Sequence, residues 1–332
     1  MNVWLPIVAG GSGVEVFTRE LSSKLGALGH TAIVEIFPHS YQYAPWLLKN
    51  RRAPAGTEAI IGNSWNAFAF KRDGIPLVSI QHLFVLDEAL RPYKSLGQHF
   101  FHTTLVRHFE QRTAALADKL VAVSDYTGRS YREFLGNKPV QVIRNGIDTQ
   151  FFSPSPTQKD RPRDKFQLLF VGNFTRRKGA DMLPVIMDKL GASFSLSYTS
   201  GLRVKDERRT RANMLPLGRL NKEQTRDAYR NADVLIFPTR LEGLPLVALE
   251  AMACGTPVVA TDGSSLPEVV TSGIDGLLCP QDDTQAFADK VAWLSKNAYE
   301  LEAMGKRARE TIVGQFSLDR MTAQYAHLLS EL

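Results

Sequence analysis

The chain has 332 residues, of which 44% are hydrophobic and 22% charged, with a formal net charge of +6. That length exceeds one compact core and suits two domains, and the composition excludes disordered and fibrous classes. The positive balance fits phosphorylated ligands, anionic lipid or nucleic acid, but no zinc-finger spacing or aromatic RNA-binding signature supports the last.

Short apolar strands alternate with helical patterns along the whole sequence, the pattern of an α/β protein with parallel sheets covered by helices. Strands are predicted at Val3–Val8, Thr31–Ile36, Ala59–Ile61, Leu77–Ile80, Leu120–Val123 and Val140–Ile143, with helices at Val14–Leu28, Phe100–Leu116 and Asp125–Leu135. The first strand runs into a glycine loop containing Gly11, Ser12 and Gly13, where backbone can approach a phosphate at a helix start. With Glu35 about twenty residues further on, the loop also suggests a dinucleotide fingerprint, although Val16 stands where that pattern needs glycine. His82 follows the strand Leu77–Ile80. Two stretches, Tyr41 to Arg52 and Tyr93 to His108, mix aromatic and basic residues, which suits an acceptor-side loop or an anionic membrane surface.

Ser153 to Lys165 lacks periodicity and reads as a linker, so the expected domains are 1–152 and 166–316 with a linker at 153–165. Later strands are predicted at Phe166–Val171, Phe194–Ser197, Val234–Phe237, Pro257–Ala260 and Leu277–Leu278, and helices at Thr284–Ser295, Ala298–Gln315 and Ser317–Leu329. After the first of these strands, Asn173 is followed by Arg176, Arg177 and Lys178, cations that suit a diphosphate. Pro216-Leu217-Gly218-Arg219-Leu220 reads as a loop. No apolar run is long enough for a transmembrane helix, and no signal peptide is expected at the N-terminus. Cys254 and Cys279 have no metal-binding spacing and read as reduced thiols in a cytoplasmic protein.

The most informative run is Thr239-Arg240-Leu241-Glu242-Gly243-Leu244-Pro245-Leu246-Val247-Ala248-Leu249-Glu250, followed by Ala251-Met252-Ala253-Cys254-Gly255-Thr256-Pro257. A strand leads into a polar loop, then a helix with Pro245 in its first turn and Gly255 at its end. Glu242 thus stands at a strand's carboxyl end beside a helix N-terminus, and Glu250 lies about one and a half turns into the helix. Such a helix start suits a phosphate, flanked by carboxylates that accept from sugar hydroxyls.

This run resembles the signature of the family-4 retaining glycosyltransferases, also called glycosyltransferase group 1. The resemblance implies the GT-B fold, two doubly wound Rossmann-like domains facing a central cleft, with the terminal segment 317–332 packing back on the first domain. It implies that Glu242 faces the donor sugar, that Glu250 holds the ribose, and that the loop and helix amides of Gly243, Leu244, Leu246 and Val247 meet the diphosphate. By the same resemblance Arg177 and Lys178 clamp the diphosphate, with Asn173 where the family carries a basic residue. Gly218, Arg219 and Leu220 meet the nucleobase, Gly11, Ser12 and Gly13 close over the diphosphate, and His82 reaches the donor sugar or phosphate. The expected activity is retaining transfer of a sugar from a nucleotide-sugar, UDP first and GDP next, to a glycan or lipid-linked acceptor in cell-surface polysaccharide synthesis. No Asp-x-Asp pair occurs, so metal independence is expected. The nucleotide-sugar is a substrate and no cofactor is expected. The expected location is the cytoplasm, with a peripheral contact on the inner face of the membrane. A nucleotide-sugar epimerase, another GT-B enzyme and an NAD(P)-dependent oxidoreductase are the alternatives.

Overall fold

The computed structural model describes residues 1–10, 13–156, 164–199 and 211–332, so Gly11, Ser12 and most of the expected linker lie outside the described residues. The chain folds into two compact units, Met1–Gly146 with Leu318–Leu332, and Ile147–Ser317. Residues 147–152, read from sequence as the end of the first domain, pack in the second unit. Phe152 meets the Tyr229 ring, its carbonyl accepts from Arg309 at 2.7 Å, and Lys222 lies over Phe151.

The first unit comprises β1 (Asn2–Val8), α1 (Gly13–Ala27), β2 (Thr31–Phe37), β3 (Ala59–Asn63), β4 (Leu77–Gln81), α2 (Leu96–Phe101), α3 (Arg107–Leu116), β5 (Lys119–Ala122), α4 (Asp125–Phe134) and β6 (Gln141–Val142). Its six strands are ordered β2-β1-β3-β4-β5-β6 and pair in parallel. β1, β3 and β4 are nearly continuous apolar runs because helices cover both faces of such a sheet. Helix α1 stops where Gly29 adopts a left-handed φ of 86° and the His30 amide donates back to the Leu25 carbonyl. The single helix expected at Phe100–Leu116 is broken. A capping box between Ser95 and Gln98 starts α2 earlier, and a π-helical stretch, His102–Val106, separates it from α3. The Thr103 and Thr104 hydroxyls donate to carbonyls a turn back, competing with the helical ladder there.

The second unit comprises β7 (Phe166–Phe170), α5 (Leu183–Leu190), β8 (Phe194–Thr199), β9 (Met214–Gly218), α6 (Lys222–Asn231), β10 (Val234–Phe237), α7 (Leu246–Ala253), β11 (Val258–Thr261), β12 (Gly276–Cys279), α8 (Thr284–Lys296) and α9 (Ala298–Gln315). Its six-stranded sheet runs β12-β11-β10-β7-β8-β9, again all parallel. The winding direction reverses between β7 and β10, and ligands of such sheets sit at the carboxyl ends beside that reversal. Met214–Gly218, whose Pro216-Leu217 was expected in a loop, forms strand β9; proline is tolerated because β9 is the sheet edge. The turn begins only at Gly218, whose φ is 68°.

The terminal helix α10 (Leu318–Ser330) belongs to the first unit, where Lys24 of α1 pairs with Asp319 at 2.7 Å and the fully buried Tyr325 ring meets Phe17. No described helix is long and apolar enough to cross a membrane. The Tyr325 hydroxyl is buried without a hydrogen-bond partner. Tyr325→Ala is therefore expected to destabilise the protein by about 3–5 kcal/mol, whereas Tyr325→Phe is expected to be neutral or stabilising. Denaturant melts of the two variants check this, and a large loss in the phenylalanine variant would contradict it.

Candidate functional site

The candidate site is built by two loops that leave adjacent parallel strands at the winding reversal. After β7 a 3-10 turn, Arg176–Lys178, carries three basic side chains and closes on Gly179 with φ of 73°. A Cβ on Gly179 would lie 1.9 Å from the Pro238 carbonyl oxygen, so only glycine lets this turn pass so close to the loop after β10. The Arg240 amide locks the loops together by donating to the Arg177 carbonyl at 2.9 Å, with the Thr239 hydroxyl oxygen 3.3 Å from the same carbonyl oxygen.

This places Glu242 against the basic turn. Its Oε1 accepts from Lys178 Nζ at 2.6 Å, Thr239 Oγ1 at 2.7 Å and Arg177 Nη1 at 3.4 Å. Its Oε2 accepts no hydrogen bond from any described residue. The Glu242 amide donates to Ser264 Oγ at 3.1 Å, and Ser265 Oγ donates to its carbonyl at 3.3 Å, so the loop after β11 holds it from behind. Arg177 also donates to the Leu241 carbonyl at 2.7 Å, and the Lys178 ammonium lies 5.3 Å from the Phe237 ring centre.

The charges in this cluster do not cancel. Arg177 and Lys178 face a single carboxylate, which leaves one positive charge in excess. Burial lowers the Lys178 ammonium below the ordinary lysine value; Glu242 opposes that and Arg177 adds to it. Burial alone would raise Glu242, but Lys178 and Arg177 hold its carboxyl below the ordinary range. Two half-buried cations sharing one carboxylate are the chemistry that suits a second anion.

Sequence reasoning missed Arg240, which organises the site. Its guanidinium, 8% exposed, donates to both oxygens of Asp181 at 2.7 and 3.0 Å, to Asp282 at 2.6 Å and to the Arg176 carbonyl. Asp181 follows the basic turn and Asp282 follows β12, so one side chain clamps the loops of β7, β10 and β12. The available signal was an arginine in an otherwise apolar approach to Glu242, which says nothing of two aspartates distant in sequence.

Helix α7 begins at Leu246 with Pro245 as its N-cap rather than inside the first turn. The Leu246 and Val247 amides have no partner among the described residues, as expected of the first helical N–H groups. Glu250, half-buried on α7, accepts from the Tyr229 hydroxyl at 2.8 Å, and burial together with this carboxylate raises the phenol. Asn173 is exposed after β7, Gly218 ends edge strand β9, and Arg219 and Leu220 follow it, so these candidates share one carboxyl edge of the second sheet. Gly243 and Leu244 are buried in the loop before α7.

Gly13 and His82 lie in the first unit, at the carboxyl ends of β1 and β4. The His82 ring meets Phe17 edge-on at 4.8 Å, and burial pushes its pKa down to about 4, so it is a neutral hydrogen-bonding group at pH 7. Glu35, which a dinucleotide fingerprint would reserve for a ribose, is occupied by Trp4 Nε1 at 3.2 Å and Arg51 at 3.0 Å. Among the described residues no group of three or more His, Cys, Asp or Glu side chains is placed to hold a metal ion.

Two doubly wound parallel sheets, one carrying two cations against a single carboxylate at its winding reversal, are the architecture of the GT-B class. The model for "Glycosyl transferases group 1" matches residues 165–297, and that for "Glycosyltransferase Family 4" matches residues 33–151. The chain is 30% identical over 285 residues to alpha-maltose-1-phosphate synthase of Mycolicibacterium smegmatis, covering 76% of this chain and 72% of that one. It is 28% identical over 313 residues to D-inositol 3-phosphate glycosyltransferase 1 of Catenulispora acidiphila, covering 82% and 73%. It spans 54% of a further relative, the D-inositol 3-phosphate glycosyltransferase of Kribbella flavida. Among solved structures, Anabaena HepE in complex with UDP-glucose superposes with a TM-score of 0.80 at 17% identity over 100% of both chains. The chain belongs to the family-4 glycosyltransferases.

Removing the Arg240 guanidinium strands Asp181 and unties three loops. Arg240→Ala is expected to lose about 3–5 kcal/mol of stability, and Arg240→Lys is expected to recover little of it because lysine lacks the planar fork; denaturant titration of both variants checks this. The Glu242 ion pair carries a pH signature. Its folded-state pKa lies below the ordinary 4.5, so its stabilisation is present above that value and is lost as pH falls through the depressed one. The stability gap between wild type and Glu242→Gln should therefore be constant near neutrality and shrink below pH 4.5; a gap unchanged into strong acid would refute the pairing.

Proposed function

We propose that this glycosyltransferase moves a sugar from a nucleoside diphosphate to an acceptor with retention at the anomeric carbon, and that the donor diphosphate sits against Arg177 and Lys178. The observation that carries this reading is the uncompensated positive charge facing Glu242. In the reaction, negative charge grows on the departing diphosphate while the sugar becomes oxocarbenium-like. Arg177, Lys178 and the Leu246 and Val247 amides are preorganised donors for that charge, and such donors need no metal ion. Glu242 Oε1 anchors the cations, which leaves Oε2 to accept from a donor-sugar hydroxyl. Glu250 receives the ribose, beside Tyr229. The Gly218–Leu220 turn meets the base. No side chain is assigned as a nucleophile; the acceptor attacks from the face the diphosphate leaves, and the leaving phosphate takes its proton.

UDP is the favoured nucleotide, supported by the UDP-glucose complex of the structural neighbour, with GDP next. The acceptor is read as a glycan or lipid-linked molecule of cell-surface polysaccharide synthesis, at the cytoplasmic face of a membrane. The relatives are named for D-inositol 3-phosphate and for alpha-maltose-1-phosphate, so acceptors differ within the family.

A thermal-shift panel of UDP-, GDP-, ADP- and dTDP-sugars tests the donor, with UDP-sugars expected to raise the melting temperature. Lys178→Ala should then lower turnover by about 10²-fold or more. Absence of a shift with every nucleotide-sugar, or full turnover in Lys178→Ala, would overturn the assignment.

A further inference from the structure

The first unit carries an apolar, basic face that the donor reading does not use. It is made by two segments far apart in sequence, residues 39–52 and 91–108, which contain Lys49, Arg51, Arg52, Arg91, Lys94 and Arg107 and no aspartate or glutamate. The fold brings them together: the Tyr43 ring lies 5.4 Å from Phe101 of α2, and Trp46 lies 5.9 Å from Phe109 of α3. Large apolar side chains stand out from both segments. Leu47 is 64% exposed and Trp46 43% on one, and Leu96 is 90% and Phe100 70% exposed on the other. Scattered single apolar residues on a surface need no explanation, but a set gathered from two segments does.

The surrounding charges indicate the occupant. Lys49, Arg52 and Arg91 have no ion-pair partner among the described residues. Arg51 pairs with Glu35 at 3.0 Å, Lys94 donates to the Val85 carbonyl, and Arg107 lies over the Phe134 ring at 5.3 Å. The acids bordering the second segment are Asp87 and Glu88, and Asp87 accepts from the Tyr126 hydroxyl at 2.7 Å. The face therefore presents tryptophan, leucine and phenylalanine with free cations and no free acid within either segment. That is the chemistry of an anionic bilayer surface, where apolar side chains enter the acyl boundary and lysine and arginine stay at the headgroups.

We propose that this face docks the protein on anionic lipid bilayers, with Trp46, Leu47, Leu96 and Phe100 entering the interface and Lys49, Arg52 and Arg91 contacting lipid phosphates. It goes beyond the membrane-side location suggested above by naming the surface and its mode of contact, and it stands independently of the donor site. The test is sedimentation of the full chain with vesicles of phosphatidylcholine alone or mixed with phosphatidylglycerol. Binding is expected only to the anionic vesicles and should weaken as salt rises. The double variant Leu47→Ser/Phe100→Ser should bind roughly tenfold or more weakly, and Lys49→Gln/Arg52→Gln should also bind more weakly. All variants should melt like wild type because the substituted positions are exposed. Failure of the wild type to bind anionic vesicles, or variants that bind as well as wild type, would overturn the proposal. Loss of a dimer in the apolar variant, without any effect on vesicle binding, would assign the face to a second copy of the chain instead.

Discussion

Two half-buried cations held against one buried carboxylate are the interaction on which the functional reading of this protein depends. Arg177 and Lys178 leave β7 on a tight turn, and Glu242 leaves β10 on the neighbouring loop. The loops can approach only because Gly179 has no side chain beneath the Pro238 carbonyl. Glu242 opposes the effect of burial on the Lys178 ammonium, yet one carboxylate cannot neutralise both cations, and the remaining positive charge sits at the winding reversal of the sheet. A parallel sheet, a glycine contact and an electrostatic imbalance thus form one construction.

The surrounding polar groups support that cluster. Arg240 is nearly as buried as Glu242 but has two aspartate partners, so it ties loops together without adding net positive charge. Ser264 and Ser265 fix the backbone of Glu242 from the loop after β11, and the first amides of α7 have no partner among the described residues. The first unit differs in character. Burial keeps its candidate histidine, His82, uncharged, and its unusual surface is apolar and basic. Within the second unit's loops, charge is compensated at Arg240 and left in excess at Arg177 and Lys178.

Much of the architecture was legible from local pattern. Continuous apolar runs such as Val234–Phe237 announce strands buried on both faces, and the Glu242 to Glu250 run announces strand, loop and helix in order. The failures have local causes. Pro216 argued against a strand, but β9 is an edge whose outer side needs no ladder bond. The Phe100–Leu116 periodicity suggested one helix, but threonine hydroxyls and a capping box further upstream divided it. Phe151 and Phe152 looked like the end of one domain but found their partners on helices of the other.

The amino-acid order alone determined which residue types crowd the strand ends, because strand, turn and helix preferences act over a few neighbours. It thereby placed a basic turn after one strand and an acidic loop after another. It could not determine that these ends are adjacent, since Arg177 and Glu242 are separated by 64 intervening residues and meet only through parallel pairing of β7 with β10. Nor could it show that Arg240 would be neutralised while Arg177 and Lys178 would share a single carboxylate, because that depends on which acids the folded loops bring within hydrogen-bond reach.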